Sequence, residues 1–167
     1  MKTLRKLMRY KEWADRLLFQ SLARVPPDQL ARPQPIVFGS LLRTLNHVYA
    51  MDEVWRAHLS GRPHGFTTRN PQDCPGFAEL RTGQADMDAW YVGYADNLDE
   101  ALCDQEVRFE FIGGNPGAMS RRDMLLHVVN HGTYHRGHVA DMMYLLNVQP
   151  PTTDFPVFLR NAGATEL

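Results

Sequence analysis

Apolar residues recur at helical spacing in four stretches of the chain. The stretches run from Leu4 to Leu22, from Leu41 to Leu59, from about Phe77 to Asp104, and from Ser120 to about Asn147. Prolines follow the first and last stretches, and proline cannot continue a helix. Ser40 and Ser120 stand where N-cap residues are expected. The pattern therefore predicts four helices.

Two proline- and glycine-rich segments, residues 25–39 and 61–76, predict long loops between these helices. Between Glu106 and Met119, apolar residues alternate with charged ones, which indicates a short hairpin or an extended segment before the last helix. We find no repeat and no shift in composition that would divide the chain. The expected fold is all-α, a four-helix bundle formed by a single domain over residues 1–167.

The fourth helix carries histidines in the middle of its core-facing stripe. The stripe consists of Met124, Val128, His131, His135, His138, Met142 and Leu145. Imidazole fills apolar space poorly unless its nitrogens have partners, so several inward histidines require a shared partner. A divalent metal ion is the simplest partner of this kind.

His131 and His135 are four residues apart, which places two imidazoles within reach of one ion. Such a pair alone is weak evidence, because core or surface histidines are often satisfied by nearby carbonyls and carboxylates. Three features favour a metal. The pair interrupts an apolar stripe, it is flanked by the small residues Gly132 and Gly137, which are expected to thin the helix surface, and His47 leans inward on the second helix. A bundle-core site needs such a third ligand from a facing helix.

Charge and cysteine content exclude several classes of function. The 18 basic residues nearly balance the 19 acidic ones, so no net field attracts nucleic acid or anionic lipid. No stretch is long and apolar enough to cross a membrane. Two cysteines are too few for a disulfide framework, and neither has a basic neighbour that would activate it. A cytoplasmic protein without nucleic-acid or membrane partners is expected.

Four segments of the chain resemble the DinB/YfiT-like family. They read YKEWADRLL, FGSLLRTLNHVYAMDEVW, NHGTYHRGH and PPTTDFPVFL, and together they span nearly the whole sequence. The resemblance implies a four-helix bundle, often a homodimer, that holds a divalent metal through three histidines. The family's ligand positions match His47, His131 and His135.

Three neutral histidines without a carboxylate leave the ion its full charge and an open position, as in catalytic sites. A water or a small thiol bound there would lose its proton near neutral pH. The expected function is that of a hydrolase or a thiol-dependent transferase acting on a small-molecule substrate. Some members of the family are similar to enzymes that use low-molecular-weight thiols, which favours the transferase. The alternative is a non-catalytic metal- or ligand-binding module.

Histidine ligation suits zinc, nickel, copper or iron, and zinc or nickel is the preferred expectation. Many family members have Gln at the position of His138, which leaves this residue open as a fourth ligand, a donor to a ligand, or a base. His127 is expected to be a core histidine or to support a ligand. Exposed structural roles are expected for His58 and His64.

The sequence does not identify a catalytic base. Asp52 falls directly on the apolar stripe of the second helix, where a carboxylate needs a hydrogen bond or a cation. Helical spacing turns it about 140° away from His47, so direct cooperation between the two is not expected. We expect Asp52 to accept a hydrogen bond from a buried donor such as the indole of Trp13 or the guanidinium of Arg136.

Overall fold

The computed structural model describes residues 1–161, which form a helical bundle with one small hairpin. In chain order the elements are α1 (Lys2–Leu22), α2 (Pro27–Ala31), α3 (Leu41–Leu59), α4 (Phe77–Asn97), α5 (Glu100–Cys103), β1 (Glu106–Glu110), β2 (Pro116–Ser120), α6 (Arg121–Leu145) and α7 (Phe155–Asn161). The predicted four-helix bundle and hairpin are confirmed.

The four long helices pack in a ring in which α1 contacts α4 and α6, and α3 also contacts α4 and α6. Helices α1 and α3 therefore lie diagonally opposite each other in the ring, although α3 is the next long helix after α1 in the chain. The long loop after α1 connects this diagonal pair. The hairpin region connects the other diagonal pair, α4 and α6. As a result α3 and α6, which carry the candidate ligands, lie side by side.

Apolar side chains from all four long helices fill the interior of the ring. One part of the core contains Met8, Trp55, Met87, Tyr91, Met124 and Val128. A second part contains Leu18, Leu22, Leu45, Leu80, Val139 and Met142. Burying each of these side chains contributes roughly 1.5–3 kcal/mol to folding. This packing makes the helices a fixed frame for the polar groups between them.

The start of α6 is fixed by its cap and by the hairpin. Strand β1 pairs antiparallel with β2, in a register that runs from Glu106 opposite Ser120 to Glu110 opposite Pro116. The Ser120 hydroxyl oxygen accepts the Asp123 N–H at 3.0 Å and satisfies a free donor of the first helical turn. Ser40 caps α3 in the same way, accepting the Arg43 N–H at 3.2 Å. Both predicted caps are confirmed.

Two predictions about the chain between the long helices were wrong, because local turn residues form short helices that the apolar pattern does not show. The third helix ends at Asn97 instead of Asp104. The Asp99 carboxylate then accepts the Leu102 N–H at 2.7 Å and starts the separate helix α5. The loop at residues 25–39 contains the short helix α2, which begins at Pro27, a residue suited to the first turn.

The last residue of the predicted stripe on α6 also differs from expectation. Leu145 is 63% exposed, because α6 ends there and the chain turns away through Asn147, which has a φ of +57°. The tail returns to α1 as predicted, since the ring of Tyr10 lies 5.2 Å from that of Phe155 and 5.7 Å from that of Phe158. Within residues 1–161 no helix combines the length and the hydropathy that crossing a bilayer requires.

Candidate metal centre

The neighbouring helices α3 and α6 bring His47, His131 and His135 together. Each imidazole offers one nitrogen, and the three nitrogens lie within 4.8 Å of one another. The Nε2 atoms of His47 and His131 are 3.2 Å apart. Two nitrogens that bind one tetrahedral ion at about 2.0–2.1 Å are separated by roughly 3.3–3.4 Å. The observed spacing suits two ligands of one ion.

The orientation of His47 is fixed from two sides. Its Nδ1 lies 2.7 Å from the carbonyl oxygen of Arg69, which accepts the Nδ1 proton and leaves the lone pair on Nε2. The ring of Phe38 stacks on the imidazole at 4.2 Å, with an angle of 19° between the planes. Phe38 also meets His135 edge-on at 5.4 Å. The free lone pair of His47 therefore points toward the other two histidines.

Protein groups do not satisfy the rings of His131 and His135. A neutral imidazole has one N–H and one lone pair, so each ring needs two partners. In both residues Nδ1 is buried and has no hydrogen-bond partner among residues 1–161. Core histidines held by carbonyls and carboxylates would have such partners. The donor set fits a divalent ion with affinity for imidazole.

Burial keeps these imidazoles neutral. It lowers the pKa of His47, with a smaller opposing contribution from the Arg69 carbonyl. Burial, followed by the neighbouring imidazoles, lowers the pKa of His131 to about 2 and that of His135 to about 4. The neutral form carries the lone pair that ligates a metal. At neutral pH all three residues are in the form that a metal site requires.

A cavity of about 520 Å³ opens in front of the three histidines. Its apolar walls come from the loop before α3, from α3 itself and from the hairpin region, through Val37, Met51, Val54, Trp55, Phe111 and Ile112. Within residues 1–161, Arg69 supplies the one formally charged side chain in the lining, and no carboxylate lines the cavity. A small molecule of largely apolar character could reach the three imidazoles.

The structure separates the other histidines from the three that converge. His138 lies on the same helix face but outside the group, with its ring 5.3 Å from that of His135 and 4.5 Å from that of Tyr134. His127 lines the cavity, with its ring 4.7 Å from Trp55 and 5.7 Å from His131. His127 therefore stands beside the site and is half-buried.

The exposed roles predicted for His58 and His64 were wrong. His58 is only 9% exposed, because the hairpin packs over the end of α3 and brings Phe109 to 4.8 Å from its ring. His64 is half-buried, and its Nδ1 accepts the N–H of Phe66 at 2.9 Å. The two imidazoles meet edge-on at 5.3 Å. The apolar pattern along the chain could not show that the hairpin covers this region.

The expected donors to Asp52 were also wrong. Asp52 accepts from the Lys11 ammonium at 2.8 Å and from the Gln84 side-chain amide at 2.9 Å. Arg136 instead donates to Asp15 at 2.9 Å, and Trp13 packs against Phe158 with their rings 5.6 Å apart. Asp52 is fully buried, and the positive charge of Lys11 compensates the negative charge of its carboxylate.

Lys11 is the centre of a buried ion cluster, defined here as Lys11, Asp15, Asp52, Asp88 and Arg136. The Lys11 ammonium also donates to Asp15 and to Asp88, and each of the five residues is less than 10% exposed. Sequence reasoning missed the cluster. The signal was present, because Lys11 follows Met8 by three residues and precedes Asp15 by four, on the buried face of α1.

Burial and charge act in opposite directions within the cluster. Burial alone would lower the pKa of Lys11, but its three carboxylate partners raise it well above the ordinary value. Burial raises the pKa of Asp52, and it raises that of Asp88 to about 7. For Asp15, the charges of Lys11 and Arg136 outweigh burial and lower the pKa. The Asp88 carboxyl of the cluster is therefore only partly ionised near neutral pH.

Neither cysteine has the features of a nucleophile. Cys103 is buried and Cys74 is half-buried, and burial raises the pKa of both thiols. A raised pKa leaves little thiolate at neutral pH. This agrees with the absence of basic neighbours in the sequence.

Comparison with known proteins places the chain in a family. The DinB family model matches residues 1–166. The chain is similar to Protein DinB of Bacillus subtilis (strain 168), with 27% identity over 160 residues that cover 92% of each protein. Its fold is similar to the crystal structure of a DinB-like protein from Bacillus cereus ATCC 10987, with a TM-score of 0.67, 16% identity, and coverage of 86% of this chain and 91% of that one. The chain belongs to the DinB family.

Proposed function

We propose that this protein binds one divalent metal ion through His47, His131 and His135 and uses it to transform a small molecule. The observation that carries the proposal is the convergence of three imidazole nitrogens within 4.8 Å, two of them 3.2 Å apart. The unpartnered Nδ1 atoms of His131 and His135 support it. Membership of the DinB family is compatible with it.

Two reaction classes follow from the donor set. Three neutral ligands leave the charge of the ion uncompensated, and a bound ion of this kind lowers the pKa of a water or a thiol at its open position. The protein would then act as a hydrolase or as a transferase that uses a low-molecular-weight thiol. Zinc or nickel suits imidazole nitrogens, and affinity order alone does not choose between them.

The surroundings of the three histidines favour a catalytic site over an ion that only braces the bundle. Structural zinc sites are usually closed by four protein ligands. Here three nitrogens converge, His138 stands outside the group, and a cavity of about 520 Å³ faces the three imidazoles. A non-catalytic metal-binding module remains the second candidate, and coordination by His138 is the result that would favour it.

Metal content tests the site directly. The protein is purified without a polyhistidine tag and analysed by elemental mass spectrometry after incubation with zinc or nickel. We expect about one ion per chain in the parent and nearly none in His131→Ala and His135→Ala, because two ligands hold a divalent ion poorly. His138→Ala is the matched control on the same helix and should retain the ion.

Retention of a full complement of metal by His131→Ala, with its helical circular dichroism intact, would refute the assignment. Loss of metal from His138→Ala would support a closed four-ligand site and the bracing role. Catalysis is tested with ester and amide substrates and with small thiols, comparing the metal-loaded parent with His131→Ala. Equal turnover by the two proteins would contradict a metal-dependent reaction. The homodimer and the cytoplasmic location remain predictions.

A further inference from the structure

We infer that the cavity in front of the three histidines binds a small amphipathic anion, whose apolar body lies against the cavity walls and whose carboxylate is bound by the Arg69 guanidinium. This inference rests on the proposed function, because the cavity is the one that the candidate ligands face. It narrows the substrate to a chemical class.

The walls determine the apolar part of the ligand. Met51, Val54 and Trp55 line one side, and Phe111 and Ile112 line the side formed by the hairpin region. A volume of about 520 Å³ is in the range of small-molecule sites. Among these residues Phe111 is 41% exposed. Several apolar side chains that line one cavity together are typical of a ligand-binding site.

Arg69 determines the charge of the ligand. Its side chain makes no ion pair or hydrogen bond with any group within residues 1–161, although its carbonyl oxygen is held by His47 at 2.7 Å. The backbone of Arg69 is thus fixed at the site while its guanidinium remains available. The planar guanidinium presents paired N–H donors that match the two oxygens of a carboxylate.

Apart from the three candidate metal ligands, the lining residues within 1–161 include no anionic side chain that would pair with an organic cation. Among the described residues, the other polar members of the lining are five histidines, and none is a carboxylate. The carboxylates of the buried ion cluster are compensated by Lys11 and Arg136 and are less than 10% exposed. A bound divalent ion would add further positive charge. A ligand with one negative charge therefore complements the cavity better than a neutral or a cationic ligand.

The test uses three probes that share one apolar body: phenylbutyrate, phenylbutanol and phenylbutylamine. Binding to the full chain is measured by titration calorimetry, first after treatment with a chelator so that direct binding of the carboxylate to a metal does not contribute. We expect phenylbutyrate to bind most tightly. Arg69→Gln should weaken phenylbutyrate about five- to tenfold and leave phenylbutanol unchanged, because only the charge-assisted contact is lost.

Arg62→Gln is the matched control, since Arg62 is an exposed arginine of the same loop that does not line the cavity. The substituted glutamine in Arg69→Gln keeps the backbone carbonyl that orients His47. Equal affinities of the parent for the acid and the alcohol would overturn the inference. An equal loss of affinity in the Arg62 and Arg69 variants would overturn it too.

Metal content measured on the same preparations separates this inference from the proposed function. If the parent binds metal but does not prefer phenylbutyrate, the anion inference fails and the metal site stands. If the chelated parent prefers phenylbutyrate through Arg69 but binds no metal, the anion inference stands and the metal site fails.

Discussion

Two groups of polar side chains lie inside this bundle, and they differ in how their hydrogen-bonding needs are met. In the buried ion cluster the two cations reach three carboxylates, and Asp52 Oδ1 is the one side-chain oxygen of the cluster that is buried without a partner within residues 1–161. In the three-histidine site the Nδ1 atoms of His131 and His135 lack hydrogen-bond partners in the described part of the chain. Nearly all side-chain groups of the cluster have partners within the protein, whereas two buried nitrogens of the histidine site have none within residues 1–161.

The two regions also differ in what they offer to a ligand. In the cluster the charges are paired with one another, and these ion pairs link α1, α3, α4 and α6 around Lys11. The histidines face a cavity lined by apolar side chains and Arg69. Polar residues in a core can thus serve either to join helices or to form a binding site, and the hydrogen-bond partners of each polar atom distinguish the two roles.

The strongest way to break the cluster is to remove its central cation. Lys11→Met keeps most of the side-chain volume but leaves the buried carboxylates of Asp15, Asp52 and Asp88 without that charge. Removing one partner of a buried ion pair costs about 3–5 kcal/mol. We expect a loss of this size in the free energy of unfolding measured with urea at neutral pH.

The matched control is a surface ion pair on the same helix. Arg9 binds Asp96 at 2.8 Å, and both side chains are about one-third exposed. Exposed pairs contribute about 0.2–1 kcal/mol, so Arg9→Gln should change stability little. If Lys11→Met were no more destabilising than Arg9→Gln, the Lys11 ammonium would not be needed to compensate the buried carboxylates.

The pH dependence of stability should have opposite signs in the two regions. Asp88 has its pKa raised from 3.8 to about 7, so the stability that its proton contributes is complete below pH 3.8 and is lost as pH rises to 7. His131 has its pKa lowered from 6.5 to about 2, so its contribution is complete above pH 6.5 and is lost as pH falls. Each slope is at most about 1.4 kcal/mol per pH unit.

Urea unfolding of chelator-treated protein between pH 4 and 6.5 measures both contributions. The free energy of unfolding of the parent minus that of Asp88→Asn should decrease as pH rises. The parent loses the stabilising proton of Asp88 over this range, whereas the asparagine side chain does not titrate. The difference between the parent and His131→Asn should increase over the same range. Two differences that change in the same direction would contradict the protonation states assigned to these residues.

The smallest expected effect concerns the contact between α6 and the cluster. A Cβ on Gly132 would lie 3.4 Å from the Arg136 guanidinium and from the Lys11 stem, whereas a Cβ on Gly137 would meet nothing within 4 Å. Replacing a helical glycine by alanine stabilises by about 0.5–1 kcal/mol when nothing opposes it. Gly137→Ala should show this gain in urea unfolding, and Gly132→Ala should show less. A larger gain for Gly132→Ala would mean that the cluster is loosely packed.

This pair of glycines also corrects one part of the sequence interpretation. Both were expected to thin the helix surface beside the histidines. Gly132 does so, since Lys11 lies against it, but Gly137 is exposed and faces open space. The spacing of residues on one helix does not indicate which neighbouring helix comes near, so the sequence could not separate the two positions.

The sequence by itself determined the four long helices, their caps at Ser40 and Ser120, and the pairing of His131 with His135. These features depend on interactions within a few residues, such as apolar periodicity, capping and the i, i+4 contact. The inward-leaning position of His47 on the second helix made it a candidate third ligand, and the resemblance of four segments to one family matched it to a ligand position. The family itself is confirmed by the model match over residues 1–166.

Only the tertiary structure decided which groups meet across the bundle. It placed α3 beside α6 and brought Phe38 and Arg69 from two loops to His47. It also paired the Asp52 carboxylate with the Lys11 ammonium instead of the Arg136 guanidinium. Such contacts depend on how loops cross and which helices become neighbours, and they join residues that are tens of positions apart. Local periodicity carries no information about these contacts, because they are selected by the packing of the whole core.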